Sequence, residues 1–334
     1  MPIALILVSV FLQAGAEGFL SGRLDVTASL RFSVLAFLVT ALIFTAITWL
    51  RGRTRSKRQA TEASRGEVRR LLWEMNAASA LTFLGFYLAM AWVPAALAAS
   101  LVAGVGPLAV VLIGTVRARN PGGPAGWARA VLLLAVSLAT AACVQPGSLR
   151  EVGYLVHVGG ALAVLAGFGA AYLAVVSRRL GALGVDPTRV MAHRFHLTYV
   201  LAGAVLLLRG GGAASELSLG VTALTALVGV VVPLYLLQIS IQRCPPIVTM
   251  VLLTAVPGLT YVAQVAFGDP FRLAAAVMVA LLVILTVGFA VLEGRTRRGA
   301  PPGPDVQPDP DIRSVLTARA DTPSVSRPVP HPSS

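Results

Sequence analysis

Apolar residues run in blocks of about twenty along most of this chain, separated by short polar or basic joints. A bilayer core of about 30 Å is crossed by roughly 20 residues of helix, so each block has the length of one span. Ten such blocks are found: residues 3–21, 31–50, 71–92, 95–116, 127–145, 153–176, 189–208, 219–239, 245–267 and 271–292. Some joints are very short, as between Trp92 and Ala95, and the helices on either side must then form an antiparallel hairpin. The pattern predicts an all-α integral membrane protein with ten transmembrane helices.

Composition agrees. Of 334 residues, 56% are hydrophobic and 12% charged, and the mean hydropathy is +0.80. A typical soluble domain carries about 25% charged residues. So few charges cannot cover the surface of a soluble enzyme, and so many apolar residues exclude disorder over most of the chain.

The net charge of +13 raises nucleic-acid binding, but its distribution argues against it. Eight basic residues fall between Arg51 and Arg70, and the rest flank the blocks in small groups. With the N-terminus inside, nineteen basic residues lie at cytoplasmic joints and helix ends, and five lie opposite: Arg23, Arg31, Arg150, Arg209 and Arg272. That bias predicts both termini in the cytoplasm and residence in the cytoplasmic membrane. Trp49, Trp73, Trp92 and Trp127 all fall at span ends, at headgroup level. Ala14-Gly15-Ala16 resembles a signal-peptide cleavage site, but Met1-Pro2-Ile3 lacks the basic leading region that such a signal needs. Cys143 is expected near the outer end of one helix and Cys244 near the inner end of another, so they read as packing residues rather than a disulfide. From about Gly299 to Ser334 the chain holds nine of its 21 prolines and little apolar periodicity, the composition of a disordered cytoplasmic tail.

The ten spans divide into two sets of five. Pro107 and Pro257 fall at similar places in the fourth and ninth spans, with Tyr87 and Tyr235 lying 20 and 22 residues upstream. The second and seventh spans share Arg31-Phe32 and Arg194-Phe195, and the first and sixth share Ala14-Gly15 and Ala166-Gly167. Five is odd, so the second copy would cross the membrane upside down, as in many secondary transporters. The expected organisation is a five-helix repeat over 1–145, an inverted repeat over 146–292 and a Pro-rich tail over 293–334.

This layout resembles the EamA-type branch of the drug/metabolite transporter superfamily. The resemblance is carried by the segment from Arg31 to Leu38, by Tyr87 through Pro107 and on to Gly114, by Gly159 through Arg179, and by Tyr235 through Gly268. Asp269 stands where many relatives carry an acid after the ninth helix, whereas Val256 precedes Pro257 where Glu is frequent, and the fourth span is followed only by Arg117. The resemblance implies transport of small metabolites, usually outward, by alternating access.

Polar groups inside a bilayer are costly and therefore mark candidate sites. Ser9, Gln13, Glu17 and Ser21 recur every four residues and form one polar stripe on the first helix. Glu17 is the only carboxylate well inside a span, suited to couple transport to protons; the alternative is a hydrated carboxylate near the outer interface, or one paired with Arg23. Arg31 and Arg194 can attract an anionic group or close a gate, although arginines near helix ends more often snorkel to headgroups. Tyr87, Ser100, Tyr172, Tyr235, Gln238, Thr254, Tyr261 and Gln264 can line a cavity of mixed polarity or simply bond helix to helix. Pro107 and Pro257 are expected to kink their helices and free backbone carbonyls. Gly159, Ala163, Gly167 and Ala171 form a small-residue stripe for close packing. His193 and His196 have no third ligand nearby and read as interfacial, and Glu74 as a surface partner of Arg70.

The rival class is a membrane enzyme, but neither paired carboxylates within a span nor a nucleophile with a base is present. No phosphate-binding glycine loop appears, so ATP hydrolysis is not expected. The sequence therefore predicts a secondary transporter, needing no cofactor or metal, that exports a small polar or amphipathic, amino-acid-like metabolite. The alternative substrate class is lipophilic cations, with Glu17 as the binding anion. Expected partners are the solute and the lipid bilayer, with a homodimer open and nucleic acid excluded.

Overall fold

The computed structural model describes residues 2–52, 62–118, 123–144, 153–210 and 218–299. Residues 53–61 of the basic block, the junction between the two expected repeats and the part of the expected tail beyond Gly299 lie outside the described residues, and α14 continues through 293–299 of that tail. Residues Met1–Ala290 form one compact unit. Among the described residues there are helices and no strands.

The helices are α1 (Pro2–Leu20), α2 (Val26–Gly52), α3 (Glu62–Ser79), α4 (Gly85–Ala89), α5 (Ala95–Ala118), α6 (Pro124–Val144) and α7 (Tyr154–Ala182). They continue as α8 (Pro187–His193), α9 (His196–Leu208), α10 (Leu219–Ala226), α11 (Val232–Ile241), α12 (Pro246–Leu253), α13 (Val256–Ala266) and α14 (Leu273–Gly299). A π turn over Ala80–Leu84 joins α3 to α4, and a second over Leu227–Val231 joins α10 to α11.

Among the described residues, seven stretches are long and apolar enough to cross a membrane: Ile3–Leu20, Val26–Arg51, Ala95–Val116, Tyr154–Ala182, Pro187–Leu208, Leu219–Ile241 and Pro246–Ala266. Each overlaps one of the expected blocks. Pro124–Thr140 and Leu273–Leu285 are apolar but shorter. The expected third span is the outlier. There the helix begins at Glu62 with a charged lead-in, carries Glu74, Asn76 and Ser79, and passes into the π turn. The chain is an all-helical, multi-pass membrane protein.

The sidedness of α1 shows how the sequence produces this. Ile3, Leu7 and Phe11 are exposed on one face, while Ile6, Val10 and Ala14 are buried together with Ser9 and Glu17. Apolar groups thus face outward and polar groups inward, which suits a lipid solvent and would be unstable in water.

Small residues set the helix spacing. A Cβ on Gly167 would lie 2.9 Å from Val105 Cβ, and one on Gly169 would lie 2.6 Å from Thr82 Oγ1. Ala163 and Ala171, on the same stripe as Gly167, are fully buried. The stripe in α7 therefore packs closely against α5 and the turn before it, while Gly169 beside the stripe meets the first π turn. At the end of α7, Gly184 takes a left-handed φ of +72°, and Val185 N–H donates to the Leu180 carbonyl at 3.0 Å. Asp186 then accepts from Thr188 N–H at 2.8 Å and caps α8, with Pro187 in the first turn.

The two prolines behave differently. Pro107 sits inside the continuous helix α5. Pro257 lies in the first turn of α13, just after a break at Thr254–Ala255, where a missing N–H costs nothing. The paired Arg-Phe motifs differ too. Arg31 lies within unbroken α2, whereas Arg194-Phe195 interrupts the helix between α8 and α9.

Candidate functional site

The polar stripe of α1 faces protein along its length. Ser9 Oγ donates to the Pro233 carbonyl of α11 at 2.7 Å. Glu17 is buried, its Oε1 accepting from Gln13 Nε2 at 2.8 Å and its Oε2 from Thr260 Oγ1 at 3.0 Å. One turn further on, Ser21 Oγ accepts from Gln264 Nε2 at 2.6 Å. Glu17 and Ser21 are four residues apart, as are Thr260 and Gln264. The pairs ascend together, so α1 and α13 run parallel at this seam. Glycines bring the helices close: a Cβ on Gly18 would lie 2.4 Å from Ala263 Cβ, and one on Gly229 would lie 2.1 Å from Ala16 Cβ.

The seam also caps α5. The first N–H groups of a helix have no partner within it. Here Ala95 N–H donates to Ser21 Oγ at 3.3 Å and Ala96 N–H to Gln264 Oε1 at 3.1 Å. Gln264 Nε2 reaches Asp269 Oδ2 as well, at 3.1 Å. Ser21, Gln264 and Asp269 share the wall of a pocket of about 390 Å³ with Trp92, Tyr261 and Arg272. Tyr261 closes the turn into α14, its hydroxyl donating to the Arg272 carbonyl at 2.9 Å and accepting from Arg272 N–H at 2.8 Å.

Glu17 is thus neither paired with Arg23 nor at a wetted surface. Arg23 donates to the carbonyls of Phe19 and Phe267 instead, with its guanidinium 4.7 Å from the centre of the Phe19 ring.

A second buried polar cluster surrounds Arg194, which lies where α8 breaks from α9. The expected reach to headgroups does not occur, because Arg194 is only 3% exposed. Its Nε donates to Ser79 Oγ at 3.3 Å and its Nη1 to Gln238 Oε1 at 2.7 Å. Ser177 Oγ donates to the same Gln238 oxygen at 3.4 Å. The break itself is held by Asn76. Its Nδ2 donates to the His193 carbonyl and its Oδ1 accepts from Leu197 N–H at 3.2 Å, replacing backbone bonds lost at the break.

An aromatic cluster lies between the two polar centres. Tyr87 is buried and packs on Phe32 and Phe37, at centroid distances of 5.0 and 6.1 Å. Phe37 stacks on Phe195 at 4.9 Å, and the Arg194 guanidinium lies 4.8 Å from that ring's centre. Tyr235 packs on Phe44 at 4.8 Å.

The other candidates lie apart from these centres. Tyr172 donates to Glu74 Oε2 at 2.6 Å, and the same carboxylate accepts from Arg70 Nε at 2.9 Å. Ser100 and Thr254 donate to carbonyls of their own helical turns, Ala96 and Val251. Arg31 is half-buried in α2. His196 is exposed, with Nδ1 2.9 Å from the Tyr199 hydroxyl.

Sequence reasoning passed over Thr260, Asn76, Ser79 and Ser177. A signal for Thr260 was present, since Thr260 and Gln264 repeat on α13 the four-residue spacing of the α1 stripe. Asn76 was a lone amide with no spacing to mark it.

No family model matches the chain, and no curated protein matches it significantly. Fourteen chains of solved structures do match. One, described only as the crystal structure of a protein, is 18% identical, superposes with a TM-score of 0.65, and covers 89% of this chain and 99% of its own length. The likeness is one of fold alone.

Proposed function

We propose that this chain is a secondary transporter of the EamA type, built from ten spans in two inverted five-helix repeats with both termini in the cytoplasm. It carries a small polar or amphipathic metabolite outward across the cytoplasmic membrane by alternating access, and Glu17 couples the movement to protons.

One observation carries this reading: the buried bond from Thr260 to Glu17, which joins the only carboxylate well inside a span to a helix 243 residues away. An ionisable group at such a seam can bias the packing of its two helices by its state of protonation. Three further features support the layout. The π turns at Ala80–Leu84 and Leu227–Val231 fall in the third and eighth spans, each three or four residues before Tyr87 or Tyr235. The parallel register of α1 and α13 fits a first and a ninth span, both crossing in the same direction. The breaks between α8 and α9 and between α12 and α13 fall in the seventh and ninth spans, and discontinuous helices are frequent at transporter sites.

The test is reconstitution into liposomes, comparing uptake of amino acids with uptake of cationic dyes across an imposed pH gradient. Amino-acid flux that follows the gradient and disappears in Glu17→Gln supports the reading. Flux in Glu17→Gln with unchanged pH dependence rejects proton coupling through this residue. Accumulation of dyes alone favours the lipophilic-cation alternative.

A further inference from the structure

Arg194 carries a full charge in the interior of the bundle, yet among the described residues no carboxylate lies within ion-pair distance of it. The groups that it meets are neutral: Ser79 Oγ, Gln238 Oε1 and the Met191 sulfur. Its Nη2 makes no hydrogen bond among the described residues. The neighbouring amide is also incomplete, since Gln238 is fully buried and its Nε2 has no partner. Buried donors are satisfied almost everywhere in folded proteins, and a buried cation normally has a counter-charge. A buried amide donor without a partner, beside a buried guanidinium without a counter-charge among the described residues, describes a site suited to an anion that is not part of the chain.

The surroundings narrow the class of that anion. The guanidinium lies 4.8 Å from the ring centre of Phe195 and 5.6 Å from that of Phe83. Phe37 packs on both rings, at 4.9 and 5.2 Å, and leads on to Tyr87. A strongly hydrated inorganic ion gains nothing from such walls, whereas an organic acid buries its apolar body there. The π turn that follows Ser79 and carries Phe83, and the helix break that carries Arg194, are both local irregularities in otherwise regular helices, and such features recur at functional sites.

We infer that Arg194 and Gln238 form the anion subsite of the transport path, taking the carboxylate of an amphipathic organic acid whose apolar body lies against Phe37, Phe83 and Phe195. This inference rests on the transporter reading above. A carboxylate presents two acceptor oxygens to the planar guanidinium fork and leaves a lone pair for Gln238 Nε2. In the arrangement described, Gln238 Oε1 holds the place of one of those oxygens on Nη1. The substrate displaces a weak neutral acceptor with a charged one when the helices part.

Binding is measured on the purified full-length protein in detergent, by tryptophan fluorescence and thermal shift. The probes are phenylacetate, phenethylammonium and benzyl alcohol at matched millimolar concentrations, with chloride as the control for ionic strength. Phenylacetate is expected to bind and stabilise the protein, and the cation and the alcohol are not. Arg194→Gln is expected to weaken phenylacetate at least about 30-fold, as when one member of a buried charge pair is removed. Arg194→Lys keeps the charge but loses the fork, and falls between. Gln238→Glu places an internal anion on the guanidinium; it is expected to raise thermal stability and abolish phenylacetate binding, and it keeps the test decisive if Arg194→Gln fails to fold. The inference is overturned if phenylacetate fails to bind the wild type, binds Gln238→Glu equally well, or binds more weakly than phenethylammonium. Flux is read separately in liposomes. Loss of all gradient-driven flux with phenylacetate binding intact rejects the transporter reading and leaves the subsite standing. Undiminished phenylacetate flux in Gln238→Glu rejects the subsite alone.

Discussion

Thr260 donates to the Glu17 carboxylate at 3.0 Å, and one helical turn along the same two helices Gln264 donates to Ser21 at 2.6 Å. These two rungs fix the register of α1 on α13. Replacing Thr260 with Val removes a donor from a buried carboxylate and leaves the shape nearly unchanged. A loss of about 1–3 kcal/mol in stability is expected, with Thr260→Ser close to wild type. Thermal unfolding in detergent checks it.

Glu17→Gln tests chemistry rather than packing. The amide keeps the size of the side chain and can still accept from Thr260, so the protein is expected to fold and unfold near the wild-type temperature. Flux driven by a pH gradient is expected to fall by about tenfold or more if the carboxyl carries the proton. Proteoliposome uptake with and without the gradient separates the two effects.

Close approach at glycine gives a steric prediction. A Cβ on Gly229 would lie 2.1 Å from Ala16 Cβ, and even a small side chain there forces α1 away from the second π turn. Gly229→Val is expected to cost about 1–3 kcal/mol by overpacking. Ala16→Gly should recover part of that loss, and a double-mutant cycle on thermal stability measures the coupling.

Asn76 bridges the broken helix by bonding the His193 carbonyl and the Leu197 N–H. Asn76→Leu strands two backbone groups, and a loss of about 1–3 kcal/mol is expected. Because Arg194 sits inside that break, the same variant should also weaken phenylacetate binding, which fluorescence titration reads directly.

Cys244 lies in the turn between α11 and α12, outside the apolar spans, and burial pushes its thiol up against a smaller opposing pull from Arg178. The reactive thiolate is therefore scarce near neutral pH. Alkylation of a Cys143→Ser protein by iodoacetamide is expected to be slow at pH 7 and to accelerate as the pH rises past the ordinary thiol range. Peptide mass spectrometry follows the rate.

Most span positions and the inward polar face of α1 were legible in the sequence, because both are set by local spacing. A four-residue repeat of Ser9, Gln13, Glu17 and Ser21 in an apolar helix cannot face lipid, whatever the rest of the chain does. The expected third block is not among the stretches long and apolar enough to cross a membrane, since the helix there carries Glu74, Asn76 and Ser79, whose partners the sequence does not reveal. Arg194 was misjudged for the same reason. Near a helix end in one dimension, it reads as a snorkelling residue; in three dimensions the break at Arg194-Phe195 turns it inward onto Ser79 and Gln238.

By itself the sequence determined that the chain enters a bilayer in helices and which face of the first helix turns away from lipid, since hydropathy and helical period are properties of neighbouring residues. The tertiary structure alone decided that Glu17 meets Thr260, that Ser21 and Gln264 cap α5, and that Arg194 is left with neutral partners. Those pairings join residues as far as 243 positions apart. In a helix that already satisfies its own backbone bonds, nothing local dictates which side chain from elsewhere will meet it.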